Sequence, residues 1–291
     1  MRYYGTVIRP PSEAESYILQ ATFGCSHNKC TFCGTYPDKP FSMRPLNDVL
    51  EDITQAGQRF PHAPRVFIAD GNALVMPAPR LVTILEALGE ALPHLRRVGI
   101  YASASDILRK SDEELAVLHR KKLEIIYLGL ESGSDEVLRR VNKRDTAAEM
   151  IEAVHKAKRA GIRVSVIALL GLGGVELSAQ HAAETGRVVS AMDPHYLSML
   201  TLMLVPGTPL HKQAQEGSFR LPSPAGLLGE LRGVLQHTEG MSRCVFRTNH
   251  ASNYLPLAGV LSRDTEALLA SIDAAQTKGP SALRPENWRA L

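Results

Sequence analysis

The stretch GCSHNKCTFCG, residues 24–34, carries Cys25, Cys30 and Cys33, three of the four cysteines in this 291-residue chain. Three clustered thiolates form an incomplete ligand set, because a closed structural zinc site takes four protein ligands. A four-iron cluster held by three cysteines keeps one iron open to another molecule. The stretch therefore predicts a metal site with an open position for chemistry, or a zinc site with His27 as its fourth ligand.

Outward from this stretch, short apolar runs rich in β-branched residues alternate with amphipathic segments. This alternation predicts a parallel sheet covered by helices, with active groups at the carboxyl ends of the strands. There are fewer strand–helix units than the eight of a closed barrel, so an open partial barrel and a doubly wound sheet both fit. The predicted strands are Ser16–Thr22, Arg65–Ala69, Val98–Ala102, Glu124–Leu130, Arg163–Leu170 and Tyr196–Leu204, and the predicted helices are Asn47–Ala56, Pro79–Ala91, Ser111–Lys121, Ser134–Val141, Thr146–Ala160 and Ser178–Met192.

Helix boundaries are marked by capping signals. Asn47, Ser111 and Ser134 are predicted N-caps, and Gly161 is a predicted helix stop. The string from Ser111 to Glu114 has the capping-box pattern, in which the first and last side chains bond each other's backbone.

Composition and charge narrow the function classes. The 33 Lys and Arg against 30 Asp and Glu give a net charge of +3, so nucleic acid is not expected as a partner. No apolar run reaches the length of a membrane span, so no membrane association is expected. The N-terminus lacks the apolar core of a signal peptide, which predicts a cytoplasmic protein whose clustered thiols serve metal or redox chemistry.

The four-then-two cysteine spacing resembles that of the radical S-adenosylmethionine (SAM) superfamily, most of whose members have one residue fewer between the first two cysteines. The string from Leu128 to Leu138, followed by Val141-Asn142-Lys143, is similar to the fourth strand and helix of the branch containing methylthiotransferases and oxygen-independent coproporphyrinogen enzymes. The strings LGLGG, residues 170–174, and LVPGTPL, residues 204–210, resemble the fifth and sixth strand ends of that branch.

The resemblance implies an α/β fold, a partial (β/α)6 TIM-like barrel with parallel strands. Its core is expected over residues 1–215, with residues 216–291 as a C-terminal extension packing on it in the same domain. It implies an oxygen-sensitive enzyme that uses one [4Fe-4S] cluster to cleave SAM reductively. The expected product is a 5′-deoxyadenosyl radical acting on a small-molecule substrate, with flavodoxin or ferredoxin as electron donor.

Site residues follow position by position from the same resemblance. The cysteines of the opening stretch are the expected cluster ligands. Asp70-Gly71-Asn72 occupies the place of the Gly-Gly-Glu motif that holds the SAM amino group, and Ser103 ends the neighbouring strand. Phe32 is placed to shield the cluster or pack on a flat ligand. The remaining expected SAM contacts are Glu131 to the ribose or methionine part, Lys143 to the carboxylate, and Gly171 and Leu172 to adenine.

Two further residues are candidates for a catalytic role. Cys244 is either a buried small hydrophobe or a thiol hydrogen donor to a substrate radical, and as a lone cysteine it cannot hold a second cluster. His250 lies in the donor-rich segment Arg247–Tyr254, which either covers the mouth of the barrel or forms a turn whose Asn and His side chains are satisfied internally.

Two alternatives to the expected function remain. One is chemistry through a 3-amino-3-carboxypropyl radical, and the other is a non-catalytic module that binds an iron–sulfur cluster or zinc.

Overall fold

The computed structural model describes residues 2–290, which form two compact units. Each unit is assembled from several separate segments of the chain. The first contains residues 2–28, 35–128 and 152–164, and the second contains residues 29–34, 129–151 and 165–290. Residues on both sides of position 215 belong to the second unit, and the division predicted there stays a prediction.

The first unit is built on parallel strands flanked by helices. Strand β1 (Tyr17–Gln20) pairs with β4 (Arg65–Ala69), β4 pairs with β5 (Arg97–Ala102), and β5 pairs with β6 (Leu123–Glu131), each pair parallel. The central strand β4 is apolar after Arg65, and its Val66, Phe67 and Ile68 are fully buried, as expected for a strand covered on both faces. The elements are β1 (Tyr17–Gln20), β2 (Thr22–Phe23), β3 (Ser42–Met43), α1 (Leu46–Arg59), β4 (Arg65–Ala69), α2 (Ala78–Ala91), β5 (Arg97–Ala102), α3 (Ala104–Leu108), α4 (Asp112–Arg120) and β6 (Leu123–Glu131), whose last residues count with the second unit.

The helix boundaries test the capping predictions. Ser111 caps α4, its hydroxyl accepting from the Glu114 N–H at 3.0 Å in the predicted capping box. Gly161 ends a helix with φ +83°, a left-handed conformation that glycine adopts without strain. The Asn47 prediction is wrong: α1 already begins at Leu46, with Pro45 as its N-cap, because proline before a helix starts it without needing a side-chain cap.

The second unit continues the parallel pattern and then reverses it. Strands β7 and β8 pair in parallel, β8 and β9 pair in parallel, and β9 and β10 are antiparallel. Helix α9 packs on α7, and α10 packs on α9. The elements are α5 (Asp135–Arg140), α6 (Ala147–Arg159, which crosses into the first unit), β7 (Arg163–Leu170), α7 (Gly174–Met192), β8 (Tyr196–Thr201), α8 (Pro209–Gln215), α9 (Pro224–Gln236), β9 (Cys244–Arg247), β10 (Ala258–Leu261) and α10 (Thr265–Lys278).

All six predicted strands and all six predicted helices occur, so the expected α/β class with parallel strands is confirmed. The first predicted strand is divided, because its end forms the short β2, which pairs with β3. Among residues 2–290, no helix is both long and apolar enough to cross a membrane.

Candidate functional site

The cysteine loop begins where the chain leaves β2. Cys25, Cys30 and Cys33 are half-buried and form no disulfide. The Cys33 N–H donates to the Cys30 carbonyl at 3.2 Å, so the last two cysteines lie on one tight turn. Asn28 is left-handed, with φ +44°, and lies within the longer first spacing. Asparagine tolerates this conformation better than most other non-glycine residues, so the loop can turn at Asn28 with little strain.

Residues 29–34 of the loop are anchored inside the second unit. The Thr31 N–H donates to the Val141 carbonyl at 2.9 Å, and the Thr31 carbonyl accepts from the Leu210 N–H at 3.0 Å. Phe32 packs against an apolar cluster that includes Val141 and Leu172. The last two cysteines thus sit beside the ends of α5 and β7, where the sequence places SAM contacts.

In the first unit, the Asp70-Gly71-Asn72 segment lies directly against the start of the cysteine loop. A Cβ on Gly71 would lie 2.4 Å from the Gly24 carbonyl oxygen and 2.7 Å from the Cys25 Cα. Only glycine allows this approach, because real Cβ atoms do not come that close to backbone. The structure therefore places Gly71 directly against Cys25, and the SAM contacts of this segment stay a prediction.

The side chains on either side of Gly71 are engaged within the protein. Asn72 accepts from the Ser26 N–H at 2.9 Å and donates to Asp106 at 2.7 Å. Ser103, also predicted to line the site, donates to the same Asp106 carboxylate at 2.6 Å. Asp106 was not predicted, although its position three residues after a serine in a capping box is a recognisable signal. The fully buried Asp70 carboxylate accepts hydrogen bonds from four donors, which are Gln20, Gly24, Tyr36 and Lys39.

In the second unit, Glu131 and Lys143 form an ion pair at the carboxyl end of β6. Their atoms are 3.1 Å apart, and each side chain is 13% exposed. Burial lowers the pKa of Lys143, but the nearby Glu131 and Cys30 outweigh it, and the net pKa is raised. The ammonium therefore stays charged beside both groups. Glu131 has φ +62°, an uncommon conformation for a non-glycine residue that turns the chain sharply at the strand end.

Behind this ion pair lies a buried polar group that the sequence analysis missed, hereafter the Ser132–His181–Glu230 network. Its three side chains are all buried. His181 Nδ1 lies 2.7 Å from the Ser132 hydroxyl, and His181 Nε2 lies 3.3 Å from the Glu230 carboxylate. Glu230 also accepts from the Gly171 N–H and, at 2.6 Å, from the Ser178 hydroxyl.

The network joins two strand ends that carry predicted SAM contacts. Ser132 follows Glu131 at the end of β6, and Gly171 follows β7 with φ +85°. In the sequence alone, a His and a Glu on amphipathic helices look like surface residues, so the signal for burial would have been the apolar neighbours of Glu230 in α9. Because every member is buried and Glu230 accepts from the Gly171 N–H, the network holds the backbone at these strand ends.

The two catalytic candidates lie elsewhere in the second unit. Cys244 is buried on β9 opposite Leu261. Its neighbour Val245 pairs with Tyr196, the first residue of β8, so Cys244 is at the amino end of that parallel pair. This placement favours a packing role, and the hydrogen-donor role of Cys244 stays a prediction.

His250 belongs to a loop held by its own hydrogen bonds. Its Nδ1 lies 2.9 Å from the Ser252 hydroxyl, and Arg284 donates to the His250 carbonyl at 2.9 Å. Asn253 bonds the Thr201 hydroxyl at 2.8 Å, so the segment covers the end of β8. Burial, with the Arg284 charge, lowers the pKa of His250. The catalytic role of His250 stays a prediction.

The fit of the loop to a metal cluster rests on its donor chemistry. Across residues 2–290, no group of three or more His, Cys, Asp or Glu side chains already surrounds a common point. Three cysteine thiols on one loop, none of them in a disulfide, are nevertheless the ligand type that iron–sulfur clusters take. The glycine contact at Cys25 and the buried ammonium beside Cys30 supply close packing and positive charge for such a group.

Comparison with known proteins points to one family. A family profile described as the Radical SAM superfamily matches residues 19–184. The chain is 28% identical over 169 residues to 4′-phospho-dehydrooxetanocin synthase of Priestia megaterium, covering 51% of this chain and 22% of that protein. It is 23% identical over 203 residues to the heme chaperone HemW of Lactococcus lactis subsp. lactis (strain IL1403), covering 68% of this chain and 52% of that protein.

Solved structures show the same fold. Methylornithine synthase (PylB) matches with a TM-score of 0.54 and 17% identity, over 77% of this chain and 63% of that chain. The radical SAM methyltransferase TsrM from Kitasatospora setae, with cobalamin and a [4Fe-4S] cluster bound, matches with a TM-score of 0.55 and 18% identity, over 72% of this chain and 41% of that chain. The predicted partial (β/α)6 barrel type is confirmed by this likeness.

Proposed function

The chain belongs to the radical SAM superfamily, and from that membership we propose that it cleaves SAM to a 5′-deoxyadenosyl radical that acts on a small-molecule substrate. As a radical SAM enzyme it uses a [4Fe-4S] cluster and SAM, and it needs an electron donor. When bound, the cluster supplies the electron that breaks a carbon–sulfur bond of SAM. The residues that would surround the cluster and SAM support an assignment of each part of SAM to its own contacts.

The observation that carries the proposal is the buried Lys143 ammonium beside Glu131 and Cys30. Cys30 would ligate the cluster together with Cys25 and Cys33. A fixed cation next to that ligand is suited to the carboxylate of SAM, because a charge-assisted hydrogen bond in a half-dry site is strong. Glu131, already oriented by Lys143, would then accept hydrogen bonds from the ribose hydroxyls.

Apolar and backbone groups of the second unit suit the adenine ring. Phe32 and Leu172 belong to one apolar cluster, which offers flat contact area. The Gly171 peptide is oriented by its N–H bond to Glu230, so its position is fixed before any ligand arrives. We assign adenine to this region and the methionine end to Lys143.

In the first unit, the segment around Gly71 would receive the amino group of SAM. The Asp70 and Asn72 side chains are engaged internally, so backbone carbonyl oxygens and the Ser103 hydroxyl are the acceptors we assign to that ammonium. This differs from the family's Gly-Gly-Glu motif, in which a side chain takes part.

The test is SAM cleavage by the anaerobically reconstituted full chain. Iron, sulfide, dithionite and SAM are supplied, and nucleoside products are identified by mass spectrometry. We expect 5′-deoxyadenosine and methionine, and Cys30→Ala should abolish both. Methylthioadenosine in their place would indicate the other carbon–sulfur bond and a 3-amino-3-carboxypropyl radical. No SAM fragment from a fully loaded cluster would refute the proposal.

Electron supply and substrate class can be tested in the same assay. Replacing dithionite by a flavodoxin or ferredoxin with its reductase should sustain turnover if such a protein is the donor. The balanced charge, 33 basic against 30 acidic residues, favours a small molecule over nucleic acid as substrate. Added tRNA should therefore leave the yield of 5′-deoxyadenosine unchanged.

A further inference from the structure

Asp70 bonds both flanks of the cysteine loop from a fully buried position. Before the loop, the Gly24 N–H lies 3.4 Å from the carboxylate. After the loop, the Tyr36 hydroxyl donates at 3.1 Å and the Lys39 ammonium at 2.6 Å. A fourth donor, the Gln20 amide, comes from β1 at 3.2 Å. Three of these donors reach Oδ2 and the Tyr36 hydroxyl reaches Oδ1, so both carboxylate oxygens are bonded within the protein.

The two flanks meet at this point for reasons of backbone packing. Strand β2 pairs with β3 in an antiparallel ribbon, which closes the base of loop 24–41. A Cβ on Gly24 would lie 2.2 Å from the Lys39 carbonyl oxygen, so only glycine lets the entering and leaving chains cross there. Asp70 is a charged group that binds both chains at this crossing.

The charges make the contact strong and hard to replace. The Lys39 side chain is only 18% exposed, so its ammonium depends on the buried Asp70 for charge balance. Burial and the Asp70 charge both raise the pKa of Tyr36, which keeps it a neutral phenol that donates to Asp70. The same hydroxyl accepts from the Gly71 N–H at 3.1 Å, which ties the clamp to the glycine that contacts Cys25.

We propose that Asp70, Lys39 and Tyr36 form a clamp that fixes the base of the cysteine loop and so slows loss of the iron–sulfur cluster. This rests on the proposed function in that the loop holds a cluster. The Asp70 carboxylate then serves the loop and does not bind the SAM ammonium. Outer groups that orient metal ligands typically change metal affinity by about 10- to 100-fold, which sets the size of the expected effect.

The experiment compares iron release from variants with a matched control. Asp70→Asn, Lys39→Met and Tyr36→Phe are reconstituted anaerobically, and a ferrous chelator is added while iron release is followed by absorbance. The control is Glu13→Gln, because Glu13 is also a fully buried carboxylate in the first unit. It too bonds a tyrosine and a basic residue, Tyr127 and Arg97, at the amino end of β5.

We expect Asp70→Asn and Lys39→Met to release iron about 10- to 100-fold faster than the wild type, while Glu13→Gln melts at a lower temperature but releases iron at the wild-type rate. Equal release from the Asp70→Asn and Glu13→Gln proteins would overturn the clamp. So would an Asp70→Asn protein that keeps its iron but binds SAM more weakly, since that result assigns the carboxylate to SAM. A wild-type chain that takes up no cluster would instead refute the proposed function.

Discussion

Truncating Glu230 to alanine should destabilise the protein much more than converting it to glutamine. The Glu230 side chain is fully buried, accepts from the Gly171 N–H and the Ser178 hydroxyl, and lies 3.3 Å from His181 Nε2. Alanine removes both hydrogen bonds and the contact with His181, and it leaves a cavity. Glutamine keeps the volume, and its carbonyl oxygen can accept from Gly171 while its amide donates to Ser178.

The magnitude follows from the donors that lose a partner. His181 keeps the Leu169 carbonyl at 3.0 Å, and the half-buried Ser178 can turn to water. The Gly171 N–H is left without its carboxylate, which costs about 1–3 kcal/mol for a buried donor. The lost methylenes and the cavity add about 1–2 kcal/mol. We therefore expect a loss of about 2–5 kcal/mol for Glu230→Ala, and about 1 kcal/mol for Glu230→Gln, in which only neutral bonds replace charged ones.

The assay is urea unfolding of the metal-free chain followed by circular dichroism, with Glu239→Ala as the control. Glu239 is exposed, so its substitution should change the free energy of unfolding by less than about 0.5 kcal/mol. The expected loss for Glu230→Ala corresponds to a melting temperature lower by roughly 3–8 °C in a chain of this size. Equal and small losses for the alanine and glutamine variants would refute the reasoning, because the carboxylate would then not be holding the Gly171 peptide.

Four more outcomes are expected. Gly71→Ala should lose bound iron after reconstitution, because its Cβ would meet the Cys25 Cα at 2.7 Å, whereas Gly89→Ala, with nothing within 4 Å, should retain it. Lys143→Met should raise the Kd for SAM about 10- to 100-fold in a spectroscopic titration of the loaded protein, as loss of a charge-assisted bond predicts. Because burial lowers the pKa of His250 in the folded state, the unfolded chain binds its proton first as pH falls below about 6.5. Stability should therefore fall with decreasing pH in that range, and His250→Asn should flatten the dependence measured by urea unfolding. Cys244→Ala should form 5′-deoxyadenosine at the wild-type rate and lose about 1 kcal/mol of stability, which a reduced rate would contradict.

The parts of the fold with strong periodicity could be predicted from the sequence. Strands β4 and β7 have the predicted bounds, because continuous apolar runs flanked by polar turns leave little choice of register. Beyond residue 215 the prediction gave a tail, but α9, β9, β10 and α10 are formed there. Those strands are only four residues each, too short for alternation to distinguish them from loop.

Residues of the candidate site could be predicted where the residue type alone indicates the chemistry. They could not be predicted where the function of a side chain depends on a partner distant in the sequence. Three thiols in nine residues are visible in any sequence, and so is a lysine that follows a helix. By contrast, Lys39 and Asp70 are 31 positions apart, and Glu230 and His181 are 49 apart, so nothing local links them. Ion pairs between distant residues depend on tertiary packing, and a local sequence pattern carries no information on which distant residues come together.

In the Asp70-Gly71-Asn72 segment after β4, the glycine and the aspartate are required for different reasons. At Gly71 the requirement is spatial, because the cysteine loop approaches to within contact of its Cα, and any enzyme with a loop in this place needs a glycine there. At Asp70 the requirement is charge balance with Lys39, which is set by the course of this particular loop. The glycine and the carboxylate of this segment therefore meet separate requirements, which are close approach to Cys25 at Gly71 and charge balance with Lys39 at Asp70.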